Sequence, residues 1–78
     1  MSALTEADVA VLAVEARFWR TAGAKEDHVR THLGLSPVAY YQRVNALIER
    51  PEAAAHAPSV VRRLRAVRGR QRHRAEVA

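Results

Sequence analysis

Apolar residues recur along this chain at helical spacing, and no stretch alternates with the two-residue period of a strand. From Thr5 to about Arg20 they divide into two groups on a helical wheel. Val9, Leu12, Ala13, Ala16 and Trp19 share one side, while Val11, Val14 and Phe18 share nearly the opposite one. A helix apolar on two sides is usually sandwiched, so later helices or a second subunit are expected to cover both. Thr5 and Asp8 imitate a capping box at its start, and Glu6 and Asp8 suit the positive end of the helix dipole. Gly23 is expected to end it as a left-handed residue.

The pattern then predicts a short helix from about Lys25 to Leu33, stopped by Gly34. Ser36 and Pro37 open the next as N-cap and first helical residue, and it should run to about Arg50, where Pro51 ends it. PEAAAH (51–56) can add one turn, and Pro58 and Ser59 introduce a last helix through about Arg68. Val60, Leu64 and Val67 form its apolar stripe, with Arg62 and Arg65 pointing away. No apolar face remains beyond Gly69, so residues 69–78 are expected to form a flexible basic tail on a helical domain of residues 1–68. The predicted fold class is all-α, with four to five short helices.

The segment from Glu26 to Ile48 is the most informative. A short helix, a glycine turn and a second helix laid across the first are the parts of a helix-turn-helix. Val29 and Leu33 would face the core, Leu35 would plug the turn, and Tyr40, Val44 and Leu47 would anchor the second helix. This register resembles that of sigma-factor region four and LuxR-type regulators. Val38, Gln42, Asn45 and Glu49 then lie in a narrow outward arc, flanked by Ala39 and Tyr41. Gln and Asn can bond bidentately to adenine, and Val can contact a thymine methyl. Val38, Tyr41, Gln42 and Asn45 are therefore the expected base contacts, with Ser36 and Arg43 on phosphate. An ordinary three-helix core with a solvated polar face would give the same periodicity.

Charge sharpens that expectation. The chain has 78 residues and a formal charge of +5. Residues 1–57 hold six basic and seven acidic side chains, a net of −1; residues 58–78 hold seven arginines and only Glu76, a net of +6. A neutral body with a basic end suits a polyanionic partner. Arg62, Arg63, Arg65, Arg68, Arg70, Arg72 and Arg74 are expected to track phosphates. Arg68-Gly69-Arg70 resembles the Arg-Gly-Arg core that enters a narrow minor groove, with Gly69 letting the backbone sink. An arm of this kind fits DNA or RNA.

A wider resemblance covers most of the chain. Glu15, Phe18 and Trp19, GAKEDHVR (23–30), the segment 33–53 and PSVVRRLRAVR (58–68) are similar, in order and spacing, to a small actinobacterial family catalogued as a domain of unknown function. The resemblance implies a helical domain with a helix-turn-helix-like centre and an arginine-rich end, and no reaction. Departures fall at Val38, Ala39, Arg43 and Ala57, while Tyr41, Gln42 and Asn45 match the family pattern.

Several classes are set aside. There is no cysteine, hence no disulfide or thiolate metal site. His28 and His32 are four apart on a helix, with Glu26 and Asp27 nearby, but no further ligands complete a metal set. No nucleophile–histidine–acid set or phosphate loop is evident, so neither catalysis nor a cofactor is expected. No apolar run reaches membrane-spanning length and the N-terminus lacks a secretory pattern, so a cytoplasmic, nucleoid location is expected. The expected partner is double-stranded DNA, bound for nucleoid organisation or transcriptional regulation. A homodimer is expected from the second apolar face of the first helix. The alternatives are docking on RNA polymerase or a sigma factor, and RNA binding by the arm.

Overall fold

The computed structural model describes residues 3–77, with side chains described for residues 3–69. Five helices follow in order: α1 (Glu6–Ala16), α2 (Ala22–Leu33), α3 (Pro37–Leu47), α4 (Pro51–His56) and α5 (Pro58–Val77). The fold is all-α, as the apolar spacing predicts, and no strand occurs among the described residues.

Local chemistry fixes three of the helix starts. The Thr5 hydroxyl accepts from the Asp8 amide at 3.0 Å, and the Asp8 carboxylate accepts from the Thr5 amide at 3.1 Å, which completes the capping box. Thr21 caps α2 through the Ala24 amide, and Ser36 caps α3 through the Ala39 amide with Pro37 in the first turn. Gly34 closes α2 at φ +70°, a left-handed conformation that glycine adopts without Cβ strain.

Four boundaries differ from the sequence expectation. The first helix ends at Ala16 rather than near Arg20, because Arg17 turns extended and the terminal carbonyls find other partners. The Trp19 indole Nε1 donates to the Val14 carbonyl at 2.7 Å, and the Arg63 guanidinium donates to the Glu15 carbonyl. Gly23 consequently lies inside α2, and Thr21 starts that helix four residues before Lys25. The third helix stops at Leu47, and Ile48 and Glu49 form a turn before Arg50 leads into α4. At the other end, α5 passes Gly69 without a break and reaches Val77. Arginine is a good helix former, and a lone interior glycine costs only about 1 kcal/mol.

The core draws on every helix: Val11, Leu12 and Val14 from α1, Val29 from α2, Tyr40, Val44 and Leu47 from α3, Ile48 after it, Ala53 from α4, and Val60 and Val61 from α5. Helices α1, α2 and α3 pack on one another, and α5 packs against α4 and α1. Val11, Val14 and Leu12 of α1 are buried within one chain, whereas Val9, Ala13 and Ala16 of the first apolar group are exposed. Phe18 does not follow its group: it leaves the helix and stands 89% exposed.

Candidate nucleic-acid interface

The three-residue connection Gly34–Ser36 sets α3 against α1 and α2 with Tyr40, Val44 and Leu47 inward. The opposite side is therefore turned to solvent, and Val38, Tyr41, Gln42 and Asn45 are all exposed there. They border two different hollows. Gln42 lines a cavity of about 460 Å³ with Asp8, Arg43 and Arg50. Tyr41 and Asn45 instead line a groove of about 350 Å³ between α3 and α5, with Lys25, Arg63 and Arg68 on its walls. Two predicted base contacts and two predicted phosphate contacts thus meet in one groove, and Gln42 borders the other hollow.

A buried polar network holds the groove floor. Glu15 is 8% exposed; its carboxylate accepts from the Tyr40 hydroxyl and from Lys25 Nζ at 3.1 Å. Burial, then the hydrogen bond to Glu15 and its charge, push the Tyr40 phenol far above its ordinary value. Lys25 also lies 5.4 Å from the Tyr41 ring centroid, within cation–π range, and the Tyr41 hydroxyl reaches Glu26 at 3.5 Å. Lys25 was not among the expected contacts. Only the packing of α2 against α1 brings it to Glu15, and no local spacing signals that.

The arginines divide by what they touch. Arg43 pairs with Asp8 at 3.6 Å, and Arg50 with the same carboxylate at 3.2 Å. Asp8 is held below its ordinary carboxyl value, first by the Thr5 amide and then, against its own burial, by the Thr5 hydroxyl and these two guanidiniums. Arg68 pairs with Glu49, and Arg65 Nε donates to the Ile48 carbonyl at 2.8 Å. Arg63, Arg65 and Arg68 therefore fasten α5 to the body, while Arg62 is exposed on its outer side. Carbonyls rather than carboxylates accept from Arg63 and Arg65. Ser36 is exposed with its hydroxyl occupied as the α3 cap, and Gly69 is an exposed helical residue. The side chains of Arg70, Arg72 and Arg74 lie outside the described residues.

The two histidines stack on each other rather than converging on a shared point. Their ring centroids are 4.1 Å apart, and His32 Nδ1 contacts the His28 carbonyl at 3.1 Å. The His28 imidazole is held below its ordinary value by desolvation, then by the charges of His32 and Arg17. No group of three or more potential metal-ligating side chains occurs among the described residues. No helix among them is long and apolar enough to cross a membrane.

A family model described as "Protein of unknown function (DUF3263)" matches residues 3–75. No curated protein and no solved structure matches the chain.

Proposed function

We propose a function from the premise that the chain belongs to the DUF3263 family: it binds double-stranded DNA, as a nucleoid-associated protein or transcriptional regulator. The exposed side of α3 would face the major groove, and the α5 arginines would lie along the flanking backbone. The observation that carries this reading is the groove between α3 and α5. It sets the amide of Asn45 and the ring of Tyr41, which suit base edges, beside Lys25 and Arg63, which suit phosphate. Gln42, bordering the other hollow, extends the base-reading set along the same helix. A helix-turn-helix register, with Gly34 at the turn and Ser36 at the cap, supports the same docking. The reading needs no second subunit, since one α3 and one α5 supply both kinds of contact.

The test is a titration of labelled duplex against the full chain at several salt concentrations. Binding at about 50–100 mM salt, weakening linearly in log–log form, is expected. Absence of any binding in that range overturns the proposal.

A second reading, docking on RNA polymerase or a sigma factor, is favoured by one observation. Val38 is 68% exposed at the start of α3, and Arg43 on the same helix is already paired with a carboxylate. Co-purification with polymerase that survives nuclease treatment and is lost in Val38→Glu, with no duplex binding, would select it.

A further inference from the structure

The sequence Arg17-Phe18-Trp19-Arg20 forms the corner between α1 and α2, and it carries charge that the rest of the body does not. Lys25, Arg30, Arg43 and Arg50 each face a carboxylate. Arg17 and Arg20 have no carboxylate partner among the described residues. Arg63 adds a third such guanidinium, delivered by α5 to the Glu15 carbonyl two residues before Arg17. Within residues 1–57 the cations without a carboxylate partner among the described residues therefore stand at this corner, while Arg62, Arg63 and Arg65 of α5 also have none.

Phe18 lies in the chain between Arg17 and Arg20. It is the most exposed large apolar side chain described, at 89%. Its neighbour is fixed: Trp19 is half-buried, donates to the Val14 carbonyl, and has the Arg17 guanidinium 4.3 Å from its ring centroid and His28 at 4.9 Å. The exposed Phe18 ring thus stands, along the chain, between Arg17, whose guanidinium stacks on Trp19, and the exposed Arg20.

We propose that this corner is a binding site for an unpaired nucleobase, with Phe18 stacking on the base and Arg17 and Arg20 on its flanking phosphates. The inference rests on the reading of the chain as a nucleic-acid binder, and it assigns a contact outside α3 and the α5 groove. Charge complementarity selects the occupant. Stacking needs one open aromatic face and a cationic track, and both are present. A second copy would bring two sets of unpaired arginines face to face. An anionic bilayer would receive a single ring, because Trp19 is tied to the α1 end.

The experiment compares the full chain with Phe18→Ala and Phe18→Leu on three labelled probes: a dT single strand, a perfect duplex, and the same duplex with one bulged base. Trp19, the chain's single tryptophan, supplies a second readout through its fluorescence. Single-strand and bulge binding should fall about tenfold or more in both variants, while the perfect duplex is unaffected. Phe18→Tyr should restore binding. Thermal melts check that the variants fold, which the exposure of Phe18 favours. Equal losses on all three probes, or no loss on any, overturn the inference. So does Phe18-dependent binding to phosphatidylglycerol vesicles, or self-association lost in Phe18→Ala, without Phe18-dependent oligonucleotide binding. Failure of the perfect duplex alone to bind would sink the duplex-reading proposal and leave this site standing.

Discussion

The Tyr40 hydroxyl donates to the Glu15 carboxylate inside the three-helix body, joining α3 to α1 across a separation of 25 residues. Neither partner is spare, because the same carboxylate oxygen also receives Lys25 from α2. Tyr40→Phe keeps the ring and removes the donor, and should cost about 1–3 kcal/mol, the range for a hydrogen bond to a charged group. Urea unfolding checks it. The pH dependence has a definite sign. A phenol raised on folding stabilises fully below its ordinary value of 10.0, and that stability is lost as the pH climbs past it. Stability of the parent should fall above about pH 10 more steeply than that of Tyr40→Phe.

The glycines at 23 and 34 should respond oppositely to alanine. Gly34 holds φ +70° with open space around a would-be Cβ, so Gly34→Ala meets only backbone strain and should destabilise by about 1 kcal/mol. Gly23 is helical, and an added Cβ there meets nothing nearer than the Thr21 hydroxyl at 3.9 Å. Gly23→Ala should therefore be neutral or stabilise by up to about 1 kcal/mol, read as a shift in the urea midpoint.

That contrast shows which parts of the fold were legible in the sequence. Thr5, Gly34, Ser36 and Pro37 act within one turn of themselves, and Tyr40, Val44 and Leu47 follow a single helix period; all stand where spacing places them. The end of α1 was not legible, because the carbonyls that terminate it are taken by Trp19 and by Arg63, and the latter lies 48 residues away. Gly23 offered a stop signal, yet Thr21 three residues before Ala24 offered a competing start, and the start prevailed. The exposed face of α3 was predicted correctly as exposed. The two hollows that border it were not, since one of them depends on where α5 lies. An arginine run reads as a solvated arm by composition, and only tertiary contacts reveal that Arg63, Arg65 and Arg68 hold the helix down.

Asp8 joins three segments: the Thr5 cap, Arg43 of α3 and Arg50 ahead of α4. A carboxyl lowered on folding stabilises above its ordinary value of 3.8, and that contribution disappears as pH falls through the lower folded value. Acid unfolding below about pH 4 should therefore be shallower in Asp8→Asn than in the parent. At neutral pH the same substitution should cost about 1–3 kcal/mol, since it weakens the cap and takes a carboxylate from Arg43 and from Arg50, which keeps Glu52. Circular dichroism followed across pH 2–7 measures both.

Duplex binding should separate the arginines by their present partners. Arg62 is exposed and touches no described group, so a phosphate contact there adds to the salt dependence without breaking any internal bond. Arg62→Ala should flatten the log–log salt slope by about 0.9 and leave the urea midpoint unchanged. Arg68→Ala releases Glu49 and loosens α5, so it should reduce stability as well as affinity, although an exposed pair is worth about 1 kcal/mol at most. Gln42→Ala and Asn45→Ala should leave the slope alone and relax base preference, each by about 1–3 kcal/mol at the position it reads. Selection from a randomised duplex library resolves the two, because Gln42 and Asn45, nearly one turn apart on α3, border different hollows and should lose discrimination at different base pairs. Unchanged preference in both variants would move sequence reading off α3 altogether and leave duplex binding to charge alone.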